Sequence, residues 1–402
     1  MSRILLAWEL GTGFGHLGPF LGIAPRLLAH GHELHIAARE VASAVRAVGS
    51  LPIAVHQAPV CLNTYNGLQE PPLNFAEILM RYGYLEPAML RGLIVAWRSL
   101  ISAVRADVVV ADHAPTALLA ARLEQRPAAV IGSPFAVPPE VHPTPGMRDW
   151  VQVPPERLVN SDARVLAVIN AVLPSGVRSL TALHELFSGT GKFFLGMPET
   201  DPYGVRADAL YFGVQGRSTG TAVPSWPVGQ GKRVLAYLHA DYPHVEAVIQ
   251  GLAACDARVI VYMLGGSRKL LDAFAAAGAV VSAEPLDLDA LLPQADLCVS
   301  HGPGTAIASL QAGVPVLILP KHLENFLFAR SLERLGVGAL VHPDQKAPDI
   351  RGALFTVLSS EKHATAAKTF AESHRHTTVD TITGQVVARI EALAGLHRKE
   401  KT

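Results

Sequence analysis

The stretch ADLCVSHGPGTAIASLQAGVPVLILP, residues 295–320, constrains the fold of this chain more than any other part of it. Residues 297–300 are an apolar run short enough for a buried parallel strand, and residues 314–319 repeat the pattern. Between them residues 306–312 read as a helix, and Gly313 closes it as a C-cap glycine does. Strand, loop, helix and strand in that order make a parallel α/β unit. Its Gly-rich turn falls at the C-terminal end of the first strand, where open α/β sheets bind ligands. The amides of Gly302, Gly304 and Thr305 would open the helix and turn their partial positive charge on an anion. His301 and the Thr305 hydroxyl add side-chain donors. A pyrophosphate needs that equipment.

With 402 residues the chain is long enough for two domains of ordinary size. Half of the residues are hydrophobic and 17% are charged, which allows large cores and excludes a disordered chain. Lys and Arg balance Asp and Glu at 34 each, so no basic surplus points to nucleic acid as the main partner. The three cysteines, Cys61, Cys255 and Cys298, form neither a disulfide framework nor a metal-ligand pattern, and they fit a reducing cytoplasm. No run of 18 apolar residues appears. The best candidate, residues 89–104, is interrupted by Arg91 and Arg98. The expectation is a cytoplasmic protein with no integral membrane segment.

The N-terminal half begins the same way. Residues 4–8 read as a strand, followed by the turn GTGFGH (residues 11–16), a helix over residues 17–30 and a second strand over 33–38. Gly13, Gly15 and Gly18 form a GxGxxG, with Glu40 about where a ribose-binding acid would stand. Alone, that is a weak dinucleotide fingerprint. A strand over residues 107–111 ends at Asp112. Strand ends of one parallel sheet converge on one edge, so Asp112 can meet His16 there; its other reading is a cap for the helix starting near Pro115. His113 is a second candidate partner. Residues 133–155 carry seven prolines and read as an irregular binding wall, as does part of residues 52–100. Tyr65, Tyr82, Phe135 and Trp150 could line it or belong to the core. Helices are expected over 164–173 and 177–187, and a strand over 192–195.

Residues 216–231, rich in Gly, Ser, Thr and Pro, read as an exposed linker. Beyond it, strands at 233–238, 258–264 and 279–282 alternate with helices at 245–254, 269–277 and 286–292. The loops at His239 and Gly265 join the binding edge. Residues 347–394 read as helical throughout, with a solvated junction at His374, Arg375 and His376.

The 295–320 stretch resembles the donor-binding segment of GT-B glycosyltransferases of family 1. Their pattern, His-Gly-Gly-x-Gly-Thr, a helix, Ala-Gly-Val-Pro, a strand ending in Pro and then Asp-Gln or Glu-Gln, is met by His301, Gly302, Gly304, Thr305, Ala312, Gly313, Val314, Pro315, Pro320, Glu324 and Asn325. The loop is one residue short at Pro303, Ala308 stands where the family places a ribose-binding Glu, and Asn325 replaces Gln. The family's aromatic before the PLxxLLPxAD stretch is missing from residues 282–285. The GxGH turn and residues 196–214 continue the likeness.

The resemblance implies two Rossmann-like doubly wound domains, 1–215 and 232–375, facing across a cleft, with 376–402 crossing back to the first. It implies an inverting, metal-independent glycosyltransferase with His16 as base, Asp112 as its partner and no cofactor. Imidazole suits such a base near neutral pH. The expected donor site is Gly13, Gly15, His239, Gly265, His301, Gly302, Gly304, Thr305, Glu324 and Asn325. The partners would be a UDP- or dTDP-sugar, a small-molecule acceptor and, in one allowed state, a second copy of the chain. An inactive sugar-nucleotide-binding protein, a GT-B epimerase and a Rossmann redox enzyme stay open as alternatives.

Overall fold

The computed structural model describes residues 1–213, 221–342, 345–376 and 379–399. They form two compact units, each a parallel sheet covered by helices. The first comprises Met1–Leu195, Arg206–Tyr211 and the chain from Asp380 onward; the second is Gly196–Val205 and Phe212–Val379.

The first sheet contains β1 (Arg3–Trp8), β2 (Glu33–Ala38), β3 (Ile53–Gln57), β4 (Val108–Asp112), β5 (Ala128–Gly132), β6 (Gly191–Leu195) and β7 (Ala209–Phe212). Their order is β3-β2-β1-β4-β5-β6-β7. β1 is parallel to both β2 and β4, so the chain winds outward in both directions from the β1/β4 boundary. Both faces are covered, which is why β1 buries five residues in a row, Ile4 to Trp8, instead of alternating. The helix Pro87–Val104 is long and apolar enough to cross a membrane by length and composition alone. Its stripe of Leu90, Leu93, Ile94, Trp97, Ile101 and Val104 is buried in the core of this unit. Each such side chain stabilises the fold by roughly 1.5–3 kcal/mol.

The second sheet contains β8 (Lys232–His239), β9 (Ala257–Leu264), β10 (Val280–Ser282), β11 (Leu297–Ser300), β12 (Val316–Ile318) and β13 (Gly338–Leu340). The order is β10-β9-β8-β11-β12-β13, with its own reversal between β8 and β11. The opening helix of the key stretch runs Pro303–Gln311, starting earlier than its apolar residues suggest because Pro is well accepted in a first turn.

Several expectations change. The helix Pro155–Val172 begins within the proline-rich segment, again with Pro in its first turn. Residues 177–187 give only a 3-10 turn, Leu183–Phe187, whose Glu185 carboxylate gathers the Thr181 and Ala182 amides. The tail is interrupted into helices Ile350–Leu358, Glu361–His374 and Val379–Lys399. Residues 196–205 pack with the second unit, where Met197 enters the core. Of the expected linker, residues 216–220 lie outside the described residues. The rest is largely exposed, as expected, yet tied to the second unit: Ala222 bridges Leu286, and Trp226 Nε1 donates to Gln294 Oε1 at 3.2 Å. The last helix packs on the first unit, where His30 and His32 both reach Glu391 Oε1 at 2.8 Å. Of the expected 376–402 segment, residues 377, 378 and 400–402 lie outside the described residues. The junction after Glu361–His374 leaves Arg375 and His376 exposed, as expected, whereas His374 turns inward, its ring tilted against Phe370 and 3.2 Å from Glu199.

Candidate active site

In a doubly wound sheet the loops after the two central strands diverge to opposite faces and leave a crevice at the strand ends. Trp8, the last residue of β1, is in register with Asp112, the last of β4. The turn after β1 carries His16 back over this edge in a 3-10 turn, Phe14–His16. His16 Nδ1 then lies 3.3 Å from Asp112 Oδ2, with the carboxylate nearly buried and the imidazole 16% exposed. The Trp8 ring stacks against the imidazole, centroids 5.2 Å apart. A carboxylate accepts, so Nδ1 carries the proton and Nε2 presents its lone pair. That tautomer is the one a general base requires.

Two glycines make room for this pair, Gly11 at the start of the Gly-rich turn and Gly132. Gly11 has φ +79, and a Cβ there would stand 2.2 Å from His16 Nε2. Gly132, at the end of β5, has φ +113, and its Cβ would stand 2.5 Å from Asp112 Oδ1. Gly13 and Gly15 belong to the same loop and have no neighbouring atom within 4 Å of a built Cβ. The Gly13 amide donates to Glu40 Oε1 at 3.4 Å. A carboxylate therefore already faces the amide that a dinucleotide phosphate would use.

The helix Pro115–Leu123 is not capped by the Asp112 side chain. Glu9 does that work: its Oε2 accepts the Thr116 N–H at 2.9 Å. Burial pushes the Glu9 carboxyl up to about 7 against the pull of the Thr116 hydrogen bonds. His113, the alternative partner, has φ +45 and a ring 6.1 Å from that of His16. Burial first, and His16 second, hold its imidazole down to about 3, so it stays neutral. Among the expected lining aromatics, Phe135 is buried, Tyr82 lies under the Arg39 guanidinium and Tyr65 touches Cys61 Sγ.

The second unit builds its cluster at its own reversal point. His239 ends β8 and His301 follows β11, with ring centroids 5.4 Å apart and nearly perpendicular. The His239 and Gly265 loops are tied together, since Ala240 N donates to Leu264 O at 3.0 Å. Gly302 is the extended N-cap of Pro303–Gln311, and Gly304 is exposed with nothing within 4 Å of a built Cβ. Asn325 is buried, its Nδ2 placed 3.2 Å from where a Cβ on Gly302 would be. Glu324 lies in the first turn of the helix Leu323–Arg334, next to it in the chain.

His301 needs a correction. Its Nδ1 donates to Leu319 O at 2.8 Å, and burial holds the imidazole down to about 4. The neutral ring has spent its one proton, so the buried Nε2 is an acceptor and not the donor expected of it. Lys321 and Asp241, absent from the sequence reading, stand beside this cluster. They are far apart in the chain, and no local pattern joins them. Among the described residues no group of three or more His, Cys, Asp or Glu could hold a metal ion.

Comparison with known proteins agrees with this architecture. Residues 246–393 match the family described as erythromycin biosynthesis protein CIII-like, C-terminal domain. A sterol 3-beta-glucosyltransferase of Sclerotinia sclerotiorum is 38% identical over 88 residues, 22% of this chain; the match spans only 6% of that protein. A PGL/p-HBAD biosynthesis glycosyltransferase of Mycobacterium tuberculosis is 26% identical over 394 residues, 92% of this chain and 88% of the relative. Among solved structures, the glycosyltransferase VinC in complex with dTDP is 18% identical with a TM-score of 0.65, covering 98% of this chain and 99% of its own. The calicheamicin glycosyltransferase CalG4 is 18% identical with a TM-score of 0.66, covering 98% of each. The fold is therefore GT-B. The matched family segment runs through most of the second unit and into the last helix.

Proposed function

We propose that the protein transfers a sugar from a nucleoside diphosphate sugar to a hydroxyl of a small-molecule acceptor, with inversion at the anomeric carbon and without a metal ion. The observation that carries this reading is the His16–Asp112 pair at the β1/β4 reversal, with Nε2 left as the basic nitrogen. His16 Nε2 takes the acceptor's proton as its oxygen attacks the anomeric carbon. Asp112 holds the ring and stabilises the imidazolium that forms. Attack opposite the leaving group inverts the centre through an oxocarbenium-like transition state. The departing diphosphate is received by the amides at Gly302, Gly304 and Thr305 and by the positive end of the helix Pro303–Gln311. Each well-aimed donor of that kind is worth roughly 2.7–4 kcal/mol. Glu324 and Asn325 are assigned to the sugar hydroxyls, and His239 and Gly265 to the walls of the donor site.

The dTDP bound by VinC supports a thymidine or uridine diphosphate as the leaving group. The names of the sterol glucosyltransferase and of a rhamnosyltransferase solved with spinosyn aglycone support an apolar aglycone as acceptor. The activity belongs in the cytoplasm on this reading. The test is product formation with EDTA present. His16→Ala should lower transfer by about 10²–10⁴-fold while diphosphate binding survives. Retained turnover would refute the assignment. Isomerised sugar nucleotide without an acceptor would mark an epimerase.

A further inference from the structure

Beside the Gly302 loop the second unit holds a cation with no role in the mechanism so far. Lys321 Nζ lies 2.5 and 2.6 Å from the two carboxylate oxygens of Asp241, and 3.5 Å from His239 Nδ1. The two partners are unequally placed: the lysine side chain is 22% exposed, the aspartate 70%. The ammonium thus emerges at the strand ends among His239 and His301, while the carboxylate reaches it from the solvent side. Asp241 is held below the usual carboxylate range, first by the hydrogen bond from Lys321.

The two histidines beside Lys321 offer an anion no positive charge. His301 is neutral, with its proton committed to Leu319 O and its buried Nε2 unpartnered. Its other ring neighbours are Tyr242, centroids 5.0 Å apart, and His239, whose pKa burial and Lys321 both push down. A diphosphate arriving at the helix N-terminus meets amide dipoles, two neutral imidazoles and one ammonium. We propose that Lys321 is the cation that pairs with the diphosphate of the donor, and that Asp241 is its placeholder until the donor binds. An exposed ion pair adds little to stability. Exchanging it for a multiply charged diphosphate anchored by backbone amides is therefore favourable. The inference rests on the donor-site reading above.

The sign of two neutralising substitutions tests it, by titration calorimetry of the full chain with dTDP and UDP. Lys321→Gln should weaken diphosphate binding by about tenfold or more, and Lys321→Arg should restore most of it. Asp241→Asn should tighten binding roughly twofold to fivefold by removing the competing carboxylate. A purely structural pair predicts the opposite for aspartate, since losing either partner would then harm the site alike. Both side chains reach solvent, so melting curves near wild type should accompany these effects. If wild type binds dTDP or UDP and Lys321→Gln binds equally well, or Asp241→Asn weakens binding as much as Lys321→Gln, the Lys321 assignment fails alone. If wild type binds neither diphosphate, the donor-site reading fails and takes Lys321 with it.

Discussion

Replacing Gly11 by alanine should abolish the proposed transfer while leaving the protein folded. Two effects act at this position and the structure separates them. At φ +79 a Cβ costs about 1–2 kcal/mol of backbone strain. In a unit of this size that lowers the melting temperature by roughly 2–8 °C. The second effect is a collision, because the Cβ would stand 2.2 Å from His16 Nε2. Ordinary contact is near 3.5 Å, so the imidazole must retreat by roughly 1.3 Å. That displacement disturbs the 3.3 Å approach to Asp112 and fills the space before the basic nitrogen. Misplacement on this scale costs about 10²-fold in rate. Gly31 supplies the control: its φ is also +79, and nothing lies within 4 Å of its Cβ. Gly31→Ala should show the same thermal loss with turnover unchanged. The assay pairs thermal melting with product formation from a dTDP- or UDP-sugar and the best acceptor of an aglycone panel. Gly11→Ala turning over within a few-fold of Gly31→Ala would refute the reading that His16 needs the space Gly11 leaves it.

Three further outcomes are expected. Gly132→Ala should also lose turnover, because its Cβ would press on Asp112 Oδ1 at 2.5 Å; an unchanged rate would mean the carboxylate does not orient His16. Glu9 has a folded-state pKa of about 7 against 4.5 for the ordinary carboxyl, so the folded state binds more protons between those values and stability falls as pH rises through them. The span is roughly 3 kcal/mol, and Glu9→Gln should flatten urea-denaturation stability between pH 5 and 7; an unflattened profile would rule out Glu9 as its source. Asp162→Ala should cost about 3 kcal/mol, seen as a lower melting temperature, because the buried Asp162 carboxylate accepts from Thr144 N at 2.7 Å and from Asn74 Nδ2 at 3.1 Å. A loss below 1 kcal/mol would mean that other groups take over those donors.

The sequence by itself determined the class of fold. Short apolar runs ending in Gly-rich turns, at β1 and at β11, are strands buried on both faces of a parallel sheet, and that pattern is local. It also exposed His16, His301 and the glycines between 302 and 304, because those residues sit in the turns themselves. Elements too short or too mixed for periodicity escaped: β13 has three residues, β7 has four, and residues 177–187 carry helical composition without room for a helix. Strand order lies beyond local pattern, since only long-range packing sets β1 beside β4 and β8 beside β11. That order brought Asp112 into register with Trp8 and hence under His16. It also gave Glu9, rather than Asp112, the amide of Thr116. Tertiary structure alone showed that Gly11 and Gly132 must lack side chains, that His301 has spent its proton on Leu319, and that Lys321 faces Asp241 across 80 residues of chain. A strand's burial is encoded along its own few residues, whereas the meeting of two distant side chains depends on every element that aligns them.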